Sequence, residues 1–546
     1  MLIHEQLARM VAAEEVSCHF TLLGDANMYF ADSLDTLGVR SIHVRHEHCA
    51  CSMAMSYARA TGDIGFCSVT CGPGLTQLAT ALPAAVRASI PMVVFAGESP
   101  LNKAWYNQQL EQAPLVRALG VDYIPIHTRS QIAGKLREAF LSARLHQKPV
   151  VVGIPMDLQH MEWTGGDDYA PSHRIIPKTA PLHPAPEAIA EAAQLIRNAN
   201  KIVLVAGKGA MKAGAADACM QLADRCGALL ATTLPVRGLF LDHPFDLGVA
   251  GGFSSPLARE LFAEADLVIA VGASLTQHMR DADKLFGQAK VLQIDLAPTG
   301  INQGAVVAEH FLRGDAKVCA ERLAEHIAEK SNWRSDDLRT RIASAPADST
   351  EFPDDGYLDP RDVIAGLQEV LPKSWEMVNS SGHCSYFSAQ MRGWHAQNFH
   401  VIREFGAIGN GLSYAIGVAA ARPDNTVVLI DGDGSLLMHA QELETIRRHG
   451  LKILICILND GAYGSEIHKL RSEGLRDGGA VHGRGDLGAV ARGFGLGGKV
   501  FGDLSTLADD LKQFNEGSGS ALWDFHISDL VSSPIMRQNH PTKPHS

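Results

Sequence analysis

The 546 residues carry 46% hydrophobic and 20% charged side chains at a net charge of −12, the composition of a globular rather than a disordered chain. That length exceeds what one core organises, so three or four domains of roughly 150 residues are expected. The acidic balance and the lack of a long basic run argue against nucleic acid and anionic membrane surfaces as partners.

Residues 1–16 mix charges (His4, Glu5, Arg9, Glu14, Glu15) with apolar side chains and lack a signal-peptide core. No apolar run approaches the roughly 18–20 residues of a membrane span. The ten cysteines follow no metal-site rhythm, since the close pairs Cys49/Cys51 and Cys67/Cys71 have no second pair at zinc-site spacing. Reduced thiols in a cytoplasmic protein are expected.

In the first block, residues 65–70 and 92–96 read as strands. Leu22-Leu23-Gly24-Asp25-Ala26 precedes them. A short apolar run, 42–44, ends in Arg45-His46-Glu47-His48, and a small-residue helix over 49–60 follows, closed by Thr61-Gly62. Thr70-Cys71-Gly72-Pro73-Gly74-Leu75-Thr76 is a strand-to-helix turn in which Gly72 and Gly74 let backbone lie against a ligand. Gln108, Gln109, Glu111 and Gln112 come shortly after. Residues 163–186, with five prolines, read as a linker.

In the middle block, residues 201–206, 267–271 and 291–294 read as strands, the first running into Ala206-Gly207-Lys208-Gly209 and the second ending in Val271-Gly272-Ala273-Ser274. Residues 332–360 are polar, with Pro346, Pro353 and Pro360, and read as a second linker. The expected division is 1–165, 186–330 and 358–546. Strands alternate with helical patterns in each block, and the strands are apolar on both faces, so three doubly wound parallel-sheet α/β domains are expected.

The third block contains Ser381-Gly382-His383-Cys384 and Gly406-Ala407-Ile408-Gly409-Asn410-Gly411. A strand over 426–430 then leads into Asp431-Gly432-Asp433-Gly434. A helical pattern follows (Leu436, Leu437, Ala440, Leu443, Ile446), with its stop at Gly450. After Gly434, 24 residues pass before Asn459-Asp460-Gly461-Ala462, which ends a strand over 453–458. Gly432 and Gly434 would let backbone approach a diphosphate at a helix entry. Asp433 fits beside phosphate only with a cation between them, and a hard cation such as magnesium takes such oxygen ligands.

Together these segments resemble the acetolactate synthase, pyruvate oxidase and 2-oxo acid decarboxylase superfamily of thiamine diphosphate enzymes, over nearly the whole chain and in three-domain order. The resemblance implies pyrimidine-binding, central and diphosphate-binding domains. It implies that Glu47, in the Arg-His-Glu segment, drives the cofactor's aminopyrimidine into its imino form. It makes Asp433, Asp460 and the main-chain carbonyl of Ala462 the metal ligands, although the family usually has Asn where Asp460 stands. Gly72, Gly406, Ile408, Gly432, Gly434, Ser435 and Tyr463 fall at cofactor-binding positions. Ile408 takes the wedge that bends the cofactor, and the Gly406 carbonyl takes the position that holds its amine.

Asp25 and Glu466 align with acids of the decarboxylase branch, while His383 lies where acetolactate synthases carry a substrate-contacting segment. Gln108, Gln109, Glu111 and Gln112 could also reach the site. The implied reaction is thiamine diphosphate- and magnesium-dependent decarboxylation of a 2-oxo acid, followed by protonation or carboligation. A 2-hydroxyacyl-CoA or acyloin lyase and a non-catalytic cofactor-binding subunit stand as alternatives. Related middle domains bind FAD, ADP or nothing; with Ser274-Leu275-Thr276-Gln277 in place of the flavin-binding loop, FAD is not favoured. A homodimer or homotetramer is implied, with the cofactor between the first block of one subunit and the third of another.

Overall fold

The alternation of β-branched runs with helical patterns produces, among the described residues, three all-parallel sheets of six strands each. The computed structural model describes residues 1–541 apart from 167, 282–283, 299–306, 331–332 and 345–347. Asn332 and Pro346 of the second expected linker, and residues 542–546 of the third block, lie outside the described residues.

The first sheet contains Cys18–Thr21, Arg40–His43, Gly65–Val69, Met92–Glu98, Asp122–Pro125 and Pro149–Pro155 (β1 to β6). The second contains Ile202–Ala206, Leu229–Thr232, Asp246–Val249, Leu267–Val271, Lys290–Asp295 and His310–Arg313 (β7 to β12). The third contains Glu376–Asn379, Phe399–Val401, Val427–Gly432, Ile453–Asn459, Gly497–Phe501 and Ala521–His526 (β13 to β18). The central strands β3, β7, β10 and β16 are buried along their whole length, as sheets covered by helices on both faces require.

The outer sheets share one strand order, β2-β1-β3-β4-β6-β5 and β14-β13-β15-β16-β18-β17, whereas the middle sheet runs β12-β11-β10-β7-β8-β9. Taken from its other edge, the middle order is that of a dinucleotide-type doubly wound sheet. In each outer sheet the order reverses between the first and third strands. Ligands of open α/β sheets bind beyond the carboxyl ends of strands at such a reversal. The loops after β1 and β3 carry Asp25 and Gly72, and those after β13 and β15 carry His383 and Asp433.

Helix α1 (Glu47–Thr61) of the first block packs along α2 (Gly411–Ala421) of the third, so one apolar core runs through both blocks. Gly417 permits the close approach, because a Cβ there would overlap Ser56 Oγ and the Met53 carbonyl. One carboxylate links all three blocks. Glu404 of the third block accepts from Arg59 of the first at 3.0 Å and from Lys208 of the middle block at 3.1 Å. Although burial opposes its ionisation, the two cations bring the Glu404 carboxyl down to about 2, while burial brings Lys208 down to about 8.

Glu404→Gln leaves two partly buried cations without their counter-charge and is expected to cost about 3 kcal/mol at pH 7. Glu404 is depressed from its ordinary value of 4.5, so its contribution is complete above that value and is lost as pH falls through about 2. Denaturant unfolding of both proteins across that range checks this: the gap between them should narrow with acid, and a pH-independent gap would refute the assignment.

The expected strands are present, with β4, β11, β15 and β16 extending one or two residues further at their carboxyl ends and β3 ending one residue earlier. The single helix expected after Gly434 is instead two, α3 (Asp433–Met438) and α4 (Glu442–Arg448). The break falls at His439, which leaves helical geometry (φ −138°, ψ 33°) as its Nδ1–H reaches the Gly409 carbonyl at 2.8 Å. The second linker also holds a helix, Asp336–Ala343, with Leu338 and Ile342 buried on the middle block. The Gly207-Lys208-Gly209 turn is filled by the chain itself, since Cβ atoms at either glycine would overlap the Gly272–Ala273 backbone.

Candidate active site

An open cleft lies at the strand reversal of the third sheet, where ligands of such sheets bind. The described residues that line it all belong to the third block. They include His383, Ile408, Gly432, Asp433, Gly434, Ser435, Asp460, Ala462, Tyr463 and Glu466. Ten of the sequence-derived positions thus converge on one cavity. Gly406, on the same loop as Ile408, is exposed with φ +74° and does not line it.

Asp433 opens α3 directly from the end of β15, and Asp460 follows β16, so neighbouring strands aim both carboxyls into the cleft. Both are buried, at 1% and 8% exposure, and they lie within hydrogen-bonding reach of each other. Burial pushes Asp433 up to about 7, with the charge of Asp524 adding to the effect. Burial and the charge of Asp433 hold Asp460 well above the usual carboxylate range. Among the described residues neither forms an ion pair with Lys or Arg, and the one partner is His482, whose Nε2 lies 3.0 Å from Asp433 Oδ2. Two buried carboxyls are a hard oxygen donor set, and a divalent cation between them would relieve their mutual repulsion. The residues present therefore fit a magnesium-held diphosphate.

Asn459 serves the turn instead: its Nδ2 donates to Asp524 Oδ1 at 2.8 Å and its Oδ1 accepts the Gly461 N–H at 3.1 Å. Ser435 Oγ donates to Asp431 Oδ2 and accepts the Gly409 N–H, each at 2.9 Å, which ties the Ile408 loop to the end of β15. His383 is packed among Tyr386, Phe387 and His468. Its Nε2 accepts the Ser533 N–H at 3.2 Å. Burial, with the charge of His468 adding, holds its basicity well below normal. The ring is thus neutral, with its proton on Nδ1, on the cleft side near Gly464. Glu466 lies in the first turn of the helix Gly464–Ser472, its side chain 54% exposed and 3.3 Å from Lys469.

Asp25, Glu47 and Gly72 follow β1, β2 and β3 of the first block and are not among the residues that line the cleft. Glu47 begins α1, half-buried, and burial raises its carboxyl above the usual range. Its Oε1 sits 3.5 Å from where a Gly74 Cβ would stand. Asp25 is exposed and accepts from the Tyr106 hydroxyl at 3.3 Å. Gly72 has φ +59°, and a Cβ there would overlap the Gln108 carbonyl, so only glycine suits the turn. Gln112 is not available to a ligand: buried, it accepts the Gly72 N–H at 3.2 Å and donates to the Gly97 carbonyl at 3.1 Å. His482 was not legible in the sequence, because nothing in the spacing of the 478–485 loop points it at Asp433.

Three family models match in order: the thiamine pyrophosphate enzyme N-terminal TPP binding domain over residues 1–115, the central domain over 189–323 and the C-terminal TPP binding domain over 380–525. A probable acetolactate synthase large subunit of Methanocaldococcus jannaschii is 30% identical over 84% of this chain and 80% of its own length. The chain belongs to the thiamine pyrophosphate enzyme family. The acetolactate synthase large subunit of Parasynechococcus marenigrum is 29% identical over 90% of this chain and 81% of its own. The isozyme 2 large subunit of Escherichia coli is 29% identical over 83% and 82%. As a member of this family, the protein is a thiamine diphosphate-dependent enzyme acting on carbon–carbon bonds. No helix among the described residues is long and apolar enough to cross a membrane, and all ten cysteines are free and buried.

Gly464 stands directly behind the Asp460 carboxyl. A Cβ there would overlap Asp460 Oδ2 and stand 3.0 Å from His383 Nδ1. Gly464→Ala is expected to weaken magnesium-dependent cofactor binding about tenfold with unchanged secondary structure, as calorimetric titration and circular dichroism would show.

Proposed function

We propose that the protein decarboxylates a 2-oxo acid with thiamine diphosphate and magnesium and transfers the remaining fragment to a second carbonyl, as the acetolactate synthase names of its relatives suggest. The observation that carries this reading is the buried, cation-seeking Asp433–Asp460 pair in a cleft at the strand reversal, together with a half-buried Glu47 on the first block. Asp433, Asp460 and the Ala462 carbonyl hold magnesium, with Gly432, Gly434, Ser435 and Tyr463 around the diphosphate. Ile408 and the Gly406 carbonyl shape the seat of the cofactor, and Gly72 lies against its pyrimidine. When bound, the cofactor supplies a nucleophilic carbon and an electron sink for loss of carbon dioxide. Glu47 holds a proton against the pyrimidine ring nitrogen. His383 offers its Nδ1–H to the substrate. Asp25 and Glu466 stand as proton donors and acceptors near the acid.

Glu47 is not among the residues lining the cleft of its own chain, which, with the family resemblance, supports a homodimer or homotetramer whose centre uses the first block of one subunit and the third of another. The ten free thiols support a reducing, cytoplasmic setting. The reading requires no nucleotide in the middle block. Carbon dioxide release from a panel of 2-oxo acids, with and without thiamine diphosphate and magnesium, tests it. Cofactor-dependent release with a hydroxyketone product supports the reading. An aldehyde product moves the assignment to a decarboxylase using Asp25 and Glu466, and no release from any acid overturns it.

A further inference from the structure

Behind Glu47, at the seam of the first and third blocks, a second donor cluster has no part in the chemistry above. His46 and Cys49 flank Glu47 at the start of α1, and His439 faces them from the break between α3 and α4. One ligand atom from each, two imidazole nitrogens and a sulfur, lies within 4.8 Å of the other two. His46 is half-buried and the other two are buried. We infer that His46, Cys49 and His439 form a binding site for a divalent transition metal of zinc type, clipping the two blocks of one chain together.

The surroundings favour that ion. The Nδ1–H of His439 donates to the Gly409 carbonyl at 2.8 Å, which leaves Nε2 with a free lone pair and fixes the ring, the usual outer-shell arrangement of a ligating histidine. His48 stacks flat on the same ring, with centroids 4.9 Å apart and planes 7° from parallel, and its Nε2 meets Asn410 Oδ1 at 2.6 Å. The His439 imidazole therefore has little freedom to turn away. Independently, Glu442 lies against the Cys49 thiol. It is fully buried, and among the described residues it has no Lys, Arg or His ion-pair partner. It accepts the Arg45 N–H at 2.9 Å, the Thr445 hydroxyl at 2.6 Å and the His46 N–H, besides the thiol. A divalent ion takes the place of the Cys49 thiol proton, which passes to solvent. A thiolate beside a carboxylate is then compensated.

Two nitrogens, one sulfur and an open fourth position make a tetrahedral set suited to zinc, and too soft for magnesium. Bonds of about 2.0–2.3 Å draw the three side chains closer than they stand here, a movement their torsions supply. Ligation by either ring nitrogen of His46 gives up the bond that its Nδ1 accepts from the His48 N–H at 3.1 Å, so the capping contact is exchanged for a metal bond. The ion would ligate the residues on both sides of Glu47 and so fix the first turn that carries it.

Cobalt(II) added to the enzyme already saturated with thiamine diphosphate and magnesium reports this site, because the cofactor's metal site is then filled and a band from Cys384, which lines that cleft, would survive in both variants named below. One cobalt per chain with a sulfur-to-cobalt charge-transfer absorption is expected, lost in both Cys49→Ala and His439→Asn. Zinc should also raise the thermal midpoint of the wild type and not that of either variant. Should Cys49→Ala fail to fold, His439→Asn decides alone. Absence of the band in the wild type, or its survival in a folded variant, overturns the site.

Discussion

Glu47→Gln is expected to lower turnover about 1000-fold, within the range general acid–base groups contribute, while thiamine diphosphate and magnesium still bind within a factor of about three of wild type. The split follows from where the groups stand. The proposed diphosphate and metal positions, Asp433, Asp460 and Ala462, line the cleft of the third block, whereas Glu47 belongs to α1 of the first. Gln keeps the size and hydrogen-bonding reach of Glu but cannot carry the charge that holds the ring proton. Burial already raises the Glu47 carboxyl, so a neutral amide costs no desolvation and the fold is preserved. Steady-state rates and calorimetric titration of the variant check both halves. Unchanged turnover would remove Glu47 from the chemistry, and loss of cofactor binding would make its role structural.

Asp433→Ala is expected to weaken magnesium-dependent cofactor binding by about 100-fold or more, the upper end of what changes around a metal ligand produce. It also removes one of two buried carboxyls that repel each other, so the cofactor-free protein should be no less stable and somewhat more so. Asp460→Asn keeps an oxygen ligand and removes a charge, so it should retain binding where Asp460→Ala loses it. Thermal unfolding with and without cofactor separates these effects. A variant at Asp433 that binds magnesium and cofactor normally would place the metal elsewhere.

Much of this architecture is legible in the sequence because the central strands are apolar on both faces. Residues 267–271 and 453–458 stand out as strands on that ground alone. Short outer strands such as Phe399–Val401 and Asp246–Val249 carry no such run. The cleft residues of the third block are legible because Asp431-Gly432-Asp433-Gly434 and Asn459-Asp460 each follow a strand, and neighbouring strand ends must lie side by side. The break at His439 is not legible. The apolar positions continue through it, and what ends α3 is a hydrogen bond to Gly409, about thirty residues back in the chain. For the same reason no local pattern shows that His439 faces His46 and Cys49, or that Glu404 meets cations from two other blocks. The spent amide of Gln112 depends on the positive φ of Gly72 and on the Gly97 carbonyl, both remote in sequence.

The most direct test of the account is activity recovered by mixing two inactive variants. Glu47→Gln and Asp433→Ala are unfolded together, refolded as mixed oligomers and assayed for carbon dioxide release from the preferred 2-oxo acid. A centre built from the first block of one subunit and the third block of its partner predicts one intact centre in each mixed dimer, and so about a quarter of wild-type activity for random pairing in a two-fold dimer. No recovery, from variants shown to have exchanged subunits, would place Glu47 and Asp433 in one centre of a single chain and contradict the account.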